Sequence, residues 1–316
     1  MKKKEKNPFV NSDTNKRYYT FDCYLKRRFG RKCAKISLDG GFSCPNIDGK
    51  VGYGGCIYCS ERGSGDFAPS PVLPLKTQFE EGVRLINGKW RDAYYIPYFQ
   101  AHSNTYAPLS VLKEKFEEAL SFDRVVGLSV ATRCDCLDDE KIEYLRELSE
   151  RTYLTLELGL QSANEKTLRL INRGHTLADF ERTLEKLDGI NVCIHVINGL
   201  PGEGRKEMME TAHKLASYRP HEIKIHMLYV LKNTPIHKMY ERGEFSLLSL
   251  GEYTSLVVDQ LEVIPGGTVI GRVTGDGVKD DLVAPLWTLK KTVVANEIDK
   301  EFARRGTYQG YFCEKR

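Results

Sequence analysis

The sequence predicts an α/β protein built on an open, partial (β/α)6 barrel that is TIM-like in plan, followed by a C-terminal helical extension. The first observation is an alternation of short apolar segments with amphipathic segments from about residue 34 to residue 230, which is typical of a parallel sheet covered by helices. The second is that six such units follow one another, fewer than a closed barrel requires. Beyond Val230 the alternation stops, and a Gly-rich piece from Pro265 to Gly277 separates two further helical segments.

Each element follows from the period of its apolar residues: alternation gives strands, and spacing by three or four gives helices. The predicted strands are Ala34–Leu38, Ala93–Gln100, Arg124–Thr132, Tyr153–Leu160, Asn191–Asn198 and Glu222–Val230. The predicted helices are Leu75–Asn87, Leu109–Leu120, Asp138–Ser149, Asn164–Leu170, Leu177–Leu187, Arg205–Tyr218, Leu250–Val263 and Pro285–Arg304. We expect residues 1–16 to be a disordered basic tail, 17–232 to form the core, and 233–316 to pack on the barrel as an extension.

The composition is that of a globular protein of the cytoplasm. The 316 residues are 41% hydrophobic and 28% charged, and no apolar run approaches the ~20 residues of a membrane helix, so we expect no membrane partner. Nine cysteines are an odd number, mostly scattered, which favours reduced cytoplasmic thiols over a disulfide framework.

The N-terminal segment is strongly basic, although the net charge is only +4: residues 1–35 hold twelve Lys or Arg and three acids. Aromatic and basic residues interleave from Tyr18 to Lys35, which suits RNA because cations meet phosphates and rings stack on bases. The candidate RNA contacts are Lys26, Arg27, Arg28, Arg31 and Lys32. An amphipathic helix that packs its rings on the domain fits the same pattern equally well.

Three cysteines lie close together in one Gly-rich loop. Eleven residues separate Cys44 from Cys56, and two separate Cys56 from Cys59. Three thiolates suit a metal centre, and a [4Fe–4S] cluster held by three cysteines keeps one iron free for another ligand. A zinc site with a distant fourth ligand is the alternative. Tyr58, just before the last cysteine, would stand beside the cluster. Two further cysteines, Cys134 and Cys136, have no paired partners and are more simply explained as incidental than as a second centre.

Polar residues alternate with apolar ones along the predicted strands, so they should face the barrel interior. The residues expected to face inward are Gln100, Arg133, Glu157, Gln161, His195, Lys224 and His226. Burying so many polar groups is unfavourable unless they pair with each other or with a polar ligand. The pattern therefore predicts a polar binding cavity inside the barrel.

The cysteine loop resembles the cluster loop of radical S-adenosylmethionine (SAM) enzymes. Its wide first gap is similar to a smaller group that includes the Elongator catalytic subunit and the bacterial YtqA/YhcC-type proteins. The segments that carry the resemblance are Gly41-Phe42-Ser43-Cys44-Pro45-Asn46, Gly54-Gly55-Cys56-Ile57-Tyr58-Cys59 and Leu156-Glu157-Leu158-Gly159-Leu160-Gln161-Ser162. The resemblance covers almost the whole chain and implies a radical SAM barrel that holds a [4Fe–4S] cluster and SAM.

The resemblance also implies roles for single residues. Cys44, Cys56 and Cys59 would ligate the cluster, with Tyr58 beside it. Asn104 and Thr105, after Ser103, occupy the place of a Gly-Gly-Glu motif whose backbone meets the methionine amine, although the residues differ. Further SAM contacts would come from Arg133, Asp135, Glu157, Gln161, Arg173 and His195. The turn Asn198-Gly199-Leu200-Pro201-Gly202-Glu203 resembles an adenine-side motif, and is equally well read as a plain strand-to-helix turn.

The implied reaction is reductive cleavage of SAM to methionine and a 5′-deoxyadenosyl radical, with the cofactor carrying the difficult chemistry. The implied substrate is the wobble uridine of tRNA, converted from 5-carboxymethylaminomethyl-(2-thio)uridine to 5-aminomethyl-(2-thio)uridine. Implied partners are a low-potential electron donor such as flavodoxin or ferredoxin, and a downstream tRNA methyltransferase. Two other hypotheses remain: a radical SAM oxidase or mutase of a small metabolite, and a non-catalytic Fe–S or zinc RNA-binding module.

Overall fold

A curled sheet of seven parallel strands organises the structure, a computed structural model that describes residues 7–275 and 277–313. The strand order is β1-β2-β3-β4-β5-β6-β8, and every neighbouring pair is parallel. The strands are β1 (Cys33–Leu38), β2 (Tyr94–Phe99), β3 (Gly127–Thr132), β4 (Tyr153–Gln161), β5 (Asn191–Asn198), β6 (Glu222–Met227) and β8 (Val269–Arg272). Two short strands, β7 (Val230–Leu231) and β9 (Leu282–Ala284), form a separate antiparallel pair.

Helices surround the sheet, and most of them pack on its outer side. They are α1 (Phe21–Phe29), α2 (Leu75–Asn87), α3 (Leu109–Leu120), α4 (Asp139–Arg151), α5 (Glu165–Leu170), α6 (Leu177–Lys186), α7 (Arg205–Tyr218), α8 (Pro235–Glu241), α9 (Leu250–Val263) and α10 (Lys291–Arg305). Short 3-10 turns lie at Cys134–Cys136 and Leu286–Leu289. None of the helices in the described ranges combines the length and apolar character that crossing a membrane takes.

The outward strand faces build the core. On β4, Leu154, Leu156, Leu158 and Leu160 are each fully buried and belong to the large apolar cluster between sheet and helices. Their neighbours in the chain point the other way because side chains alternate along a strand. The polar residues of β4 therefore face the inside of the curled sheet, as the sequence pattern predicted.

The α/β prediction is confirmed, and the main sheet has one strand more than expected. All six predicted strands exist, but the Gly-rich piece between the C-terminal helices supplies β8, which pairs with β6. β8 has only four residues, one of them a glycine. Such a segment is too short to show alternation, so the sequence pattern did not predict this strand. The extension therefore completes the sheet as well as packing on it.

The N-terminal segment closes the lower end of the barrel, where the strands begin. Leu25 of α1 packs against Cys33 and Tyr153, the first residues of β1 and β4. Thr20 caps α1 by accepting a hydrogen bond from the Cys23 amide, and also bridges to Ile270 of β8. The bridge covers the exposed edge of the last strand.

The expectation of a disordered tail over residues 1–16 is wrong for the part that the structure describes. Phe9 is only 3% exposed, and its ring lies 6.1 Å from that of Tyr308. Lys16 forms an ion pair of 2.5 Å with Asp299 of α10. Composition suggested disorder, but one aromatic anchor and an ion pair hold the segment on the extension. Residues 1–6 lie outside the described residues.

Candidate active site

A cavity of about 210 Å³ opens at the C-terminal ends of the strands, inside the curled sheet. The loop that follows β1 forms one wall, and the inward faces of the strands form the rest. All seven residues expected to face inward line it: Gln100, Arg133, Glu157, Gln161, His195, Lys224 and His226. Strand alternation was therefore a sound guide to which side chains meet in the barrel.

Cys44, Cys56 and Cys59 all lie on the loop wall of this cavity. Cys56 is buried and the other two are partly exposed. The backbone folds tightly around them: the Gly55 amide donates to the Asn46 carbonyl at 2.8 Å, and the Cys59 amide to the Cys56 carbonyl at 3.0 Å. Both Gly54 and Gly55 have positive φ angles, of 76° and 74°, which glycine adopts without strain.

The segment after α5 anchors the loop from the barrel side. Asn172 donates to the Gly55 carbonyl at 2.7 Å, and Asn46 donates to the Asn172 carbonyl at 2.6 Å. Asn46 also points the same amide nitrogen at the Cys56 sulfur, 3.7 Å away. These reciprocal contacts hold the loop against the segment after α5, although more than a hundred residues separate the two in the chain.

Arg173 links the cysteine loop to the end of β4. It donates to the Gly159 carbonyl at 2.7 Å and to the Cys56 sulfur at 3.6 Å. A hydrogen bond from the Cys59 thiol, then the charges of Arg173 and Arg133, hold the pKa of Cys56 well below its ordinary value despite burial. The site therefore favours a thiolate at Cys56, the form that binds metals.

A loop with three cysteines suits an iron–sulfur cluster better than a structural zinc site, because such a zinc site takes four protein ligands. A tetrahedral zinc site with Zn–S bonds of about 2.3 Å places its sulfurs roughly 4 Å apart. Within residues 7–275 and 277–313, the one group of three ligating atoms all within 4.8 Å of one another is Glu157, Cys193 and His195. The three loop cysteines do not belong to that group, and with three cysteines a [4Fe–4S] cluster keeps one iron free for another ligand.

The Glu157 group is not itself a metal site, because Glu157 is already neutralised. Its Oε1 atom lies 2.5 Å from Lys35, and its Oε2 atom pairs with Lys224 and with His195, the latter at 2.8 Å. Burial alone would raise the pKa of Glu157, but the charges of Lys224 and Lys35 hold it well below its ordinary value. Burial and the Lys224 charge lower the pKa of His195 to about 4. We predicted Glu157 as a SAM contact, but its carboxylate is engaged by protein cations.

Arg133 and Asp135 form a paired unit at the end of β3. The guanidinium donates twice to the carboxylate, at 2.8 and 2.7 Å, and once to the Arg173 carbonyl at 2.8 Å. Arg133 lines the cavity, whereas Asp135 is not among the lining residues. The pair therefore stiffens the wall, and Arg133 is the member of the pair that lines the cavity.

Asn104 and Thr105 do not reach the cavity with their side chains. Asn104 donates to the Phe99 and Ala131 carbonyls at 3.1 and 2.8 Å. Thr105 contacts the Thr132 hydroxyl at 2.6 Å. Both residues are fully buried and tie the ends of β2 and β3 together. Ser103, just before them, does line the cavity.

Several lining residues carried no clear signal in the sequence. Tyr58 was expected there, but Phe67, Tyr98 and Arg272 were not. Phe67 is 54% exposed at the cavity mouth, and only its place in the long glycine-rich loop could have marked it. Arg272 comes from the strand that the pattern missed.

The basic N-terminal segment lies at the opposite end of the barrel from the cavity. Its predicted RNA contacts are Lys26, Arg27, Arg28, Arg31 and Lys32, on or just after α1. Arg28 lies over the Tyr153 ring at 5.1 Å and Arg31 over the Tyr94 ring at 4.7 Å, where β4 and β2 begin. Lys26 and Lys32 share the carboxylate of Asp22. Of the rings that interleave with these cations, Tyr18 is buried, and Tyr24 packs against Tyr153 and His221. An RNA contact at the five cations stays a prediction.

Cys134 and Cys136 lie in the 3-10 turn after β3. Cys134 and Cys136 are buried, and burial raises the pKa of each to about 12. Neither lines the cavity. These observations fit the expectation that these cysteines are incidental to the cluster, which stays a prediction.

Comparison with known proteins agrees with this site. Residues 52–215 match the radical SAM superfamily, and residues 220–304 match the radical SAM C-terminal domain. YtqA of Bacillus subtilis is 50% identical over 313 residues, covering 98% of this chain and 97% of that protein. YhcC of Escherichia coli is 36% identical over 285 residues, covering 89% and 91%.

Two more distant matches share part of the chain or the fold. A tRNA uridine(34) acetyltransferase of Methanocaldococcus infernus is 27% identical over 158 residues, 48% of this chain and 29% of that protein. The structure of M. infernus Elp3 lacking residues 1–46 superposes with a TM-score of 0.64 at 17% identity, covering 88% of this chain and 64% of that one, which shows a shared fold. The chain therefore belongs to the radical SAM superfamily, in the group that contains YtqA and YhcC, and its cofactors are a [4Fe–4S] cluster and SAM.

Proposed function

We propose that this protein is a radical SAM enzyme that converts the tRNA wobble nucleoside 5-carboxymethylaminomethyl-(2-thio)uridine into 5-aminomethyl-(2-thio)uridine. The observation that carries the proposal is the cavity itself, which has the three-cysteine loop as one wall and polar side chains of β4, β5 and β6 along the others. The partial similarity to a tRNA uridine(34) acetyltransferase supports the choice of nucleoside.

The residues around the loop suit the cofactors. Cys44, Cys56 and Cys59 would hold the cluster, and Arg173 would meet the SAM carboxylate beside it. Gln161 lies next to Arg173 at the end of β4 and offers an amide to the ribose.

The proposed reaction removes the carboxymethyl group as glyoxylate, which takes two electrons from the substrate and adds one water. One SAM accepts both electrons and is split into methionine and 5′-deoxyadenosine. A low-potential donor such as flavodoxin or ferredoxin would prime the cluster.

The cavity mouth suits a nucleobase that has left its stack. Phe67 and Ile47 line the mouth and are 54% and 39% exposed. A ring that is half exposed at a cavity entrance gives an unstacked base a surface to stack on. Base–aromatic stacking is worth about 1–3 kcal/mol per base, so Phe67 would contribute measurably to tRNA binding.

The competing hypothesis is a radical SAM enzyme of a small metabolite. The position of the basic segment favours it, because those cations lie at the far end of the barrel and cannot surround a base in the cavity. A binding module without turnover is a weaker candidate, since it has no use for a polar cavity beside the cluster loop.

Nucleoside analysis of tRNA from a deletion strain tests the proposal. We expect 5-carboxymethylaminomethyl-uridines to accumulate and the aminomethyl and methylaminomethyl forms, the latter made by a downstream methyltransferase, to disappear. The native gene should restore the profile and a Cys56→Ala gene should not. An unchanged profile in a strain without a redundant enzyme would favour the small-metabolite hypothesis.

Binding measurements test the mouth separately. Phe67→Ala should weaken binding of an anticodon stem-loop about tenfold. Phe312→Ala is the matched control, because Phe312 is similarly exposed, at 49%, but does not line the cavity. Equal effects of the two changes would contradict the stacking role.

A further inference from the structure

We propose that the Asp66 carboxylate, at the mouth of the cavity, binds the protonated amine in the side chain of the substrate and so selects a wobble uridine that carries an amine at its C5 substituent. This inference rests on the proposed function and assigns a residue to its substrate specificity. It concerns the part of the cysteine loop that follows Cys59.

A tight turn presents Asp66 beside Phe67. The Ala68 amide donates to the Gly65 carbonyl at 2.9 Å, which closes a β-turn with Asp66 and Phe67 as its two central residues. Both residues line the cavity. Neighbouring Cα atoms lie about 3.8 Å apart, so a base that stacks on Phe67, as proposed above, would have its substituents within reach of Asp66.

The residues just after β2 hold this turn in place. The Gln100 side-chain amide donates to the Ser64 carbonyl at 2.9 Å. Gly65 packs directly on Ala101, since a Cβ at Gly65 would lie 2.5 Å from the Ala101 Cβ, and only glycine permits so close an approach. The turn that carries Asp66 is therefore attached to the end of a strand of the main sheet before any ligand binds.

One oxygen atom of the Asp66 carboxylate is left for a ligand. Ser60 donates to Asp66 Oδ1 at 2.6 Å, which fixes the orientation of the side chain. Within residues 7–275 and 277–313, no hydrogen bond or ion pair engages Oδ2, and the residue is partly exposed. Because a carboxylate oxygen is an acceptor only, the ligand group that this atom can take is a donor.

Two carboxylates line the cavity in the part of the chain that the structure describes, Asp66 and Glu157. Glu157 is engaged by Lys35 and Lys224, so it has no need of a cationic ligand. Asp66 has no such partner among the described residues. A cation brought by the substrate is therefore better matched to Asp66 than to Glu157.

The cations on the same loop and across the cavity have other partners. Arg62 donates to two backbone carbonyls of the loop, at 2.8 and 3.2 Å. Arg272 acts on the Tyr229 phenol, as Asp66 does, but it has an interaction of its own and no ion pair joins it to Asp66. Neither arginine therefore takes the place of a cationic ligand at Asp66.

Tyr229, just before β7, contributes a neutral group to the same cavity. Burial, and then the charges of Asp66 and Cys59, raise the pKa of Tyr229 to about 12. The phenol therefore keeps its proton at neutral pH and adds no second anion near Asp66. Gly275 packs against its ring, because a Cβ at Gly275 would lie 2.9 Å from the nearest ring carbon.

The proposed substrate carries the matching cation. Its C5 side chain joins the base to a carboxymethyl group through a secondary amine, and alkylamines are protonated at neutral pH. An N–H group of such an ammonium forms a charge-assisted hydrogen bond with a carboxylate. A uridine with an uncharged C5 substituent would leave Asp66 without this partner, so the site should discriminate between the two.

Stem-loop binding by the anaerobic holoenzyme with SAM, without a reductant, tests the inference. Two anticodon stem-loops that differ by one amino group are compared, one with 5-aminomethyl-uridine at the wobble position and one with 5-methyl-uridine. The native protein should bind the aminomethyl loop about tenfold or more tightly. Asp66→Asn keeps an oxygen for Ser60 and removes the charge, so it should reduce this preference to about twofold or less.

Glu61→Gln is the matched control. Glu61 is an exposed carboxylate on the same loop that does not line the cavity, so each variant removes one negative charge from the loop and only Asp66→Asn removes a ligand contact. Glu61→Gln should keep the native preference. An equal loss of preference in both variants would show a general effect of charge and overturn the inference.

SAM also carries an ammonium group, so its affinity is measured by equilibrium dialysis for each variant. Asp66→Asn should bind SAM within about twofold of native and keep the visible absorbance of the cluster. A loss of SAM affinity that parallels the loss of preference would assign Asp66 to SAM and overturn the inference.

The two proposals can fail separately. With a reductant, the native protein should convert a stem-loop that carries 5-carboxymethylaminomethyl-uridine, and absence of conversion means that the proposed function fails. If this loop is converted but the native protein binds the aminomethyl and methyl loops equally, or Asp66→Asn keeps the preference, this inference alone is wrong.

Discussion

Replacing Glu157 by Gln should lower the free energy of unfolding by about 3–5 kcal/mol. The change keeps the shape of the side chain and removes its charge, so the ammonium groups of Lys35 and Lys224 lose their hydrogen-bonded counter-ion. Glu222 is then the remaining carboxylate known to act on both lysines. The Glu157 side chain is 0% exposed, and those of the two lysines are 16% and 8% exposed. Breaking a buried pair by removing one partner typically costs about 3–5 kcal/mol, because a charge stays buried without compensation.

The variant can avoid a buried, unpaired ammonium by releasing the proton of one lysine, and the free energy of that deprotonation limits the cost of the substitution. Bringing an ammonium from its ordinary pKa of about 10.4 down to neutrality at pH 7 costs about 1.4 kcal/mol per pH unit, or roughly 5 kcal/mol. The estimate from ion-pair removal therefore lies within this limit, and a much larger loss would need another cause.

Chemical denaturation followed by circular dichroism measures the effect. Glu117→Gln provides the control, because the Glu117–Arg151 pair is exposed, with side chains 45% and 51% accessible. Exposed pairs contribute about 0–1 kcal/mol, so this variant should unfold almost like the native protein. If the unfolding free energy of Glu157→Gln also stays within 1 kcal/mol of native, the ion pairs of Glu157 are better hydrated than their burial indicates and the reasoning is refuted.

Three further predictions concern the cluster, SAM and pH. Cys56→Ala should abolish the visible absorbance of the anaerobically reconstituted cluster while Cys134→Ala leaves it; stoichiometric zinc without iron uptake would count against the site. Gly159→Ala should weaken SAM binding about tenfold in equilibrium dialysis but keep the cluster. The added Cβ would lie 2.3 Å from the Gln161 amide and 2.8 Å from the Arg173 guanidinium, so both side chains would have to move. Native affinity would show that neither side chain meets SAM. Burial lowers the pKa of His221 to about 4, below the value of about 6.5 in the unfolded chain. The contribution of His221 to stability is therefore present above pH 6.5 and lost as the pH falls towards 4. His221→Gln should flatten the plot of unfolding free energy against pH in that range by up to about 1.4 kcal/mol per pH unit, and parallel plots for the two proteins would refute the assignment.

Much of the site was predictable because strand alternation is a local property. Glu157, Gln161, His195 and Lys224 were expected to face one interior, and all line the cavity. The three cysteines were likewise predicted as a unit from their spacing, since a loop with three thiols and several glycines has few other uses.

The role of an inward-facing residue was less predictable than its direction. Glu157 faces the cavity, but its oxygen atoms are engaged by Lys35, Lys224 and His195. Those three residues come from β1, β6 and β5, and no short-range pattern tells which strands lie opposite one another across a barrel. Pairing of this kind depends on the curl of the whole sheet.

The sequence by itself determined the α/β class, the six alternating units, the cysteine loop and the polar inner face, because each depends on residues close together in the chain. Only the tertiary structure decided that β8 completes the sheet and brings Arg272 beside Lys224. It also decided that the basic helix α1 closes the lower end of the barrel, where Tyr24 packs on Tyr153 and His221. The physical reason is that an amphipathic basic helix presents the same pattern whether its apolar face covers the strand beginnings or a partner's surface, and only long-range packing selects between them.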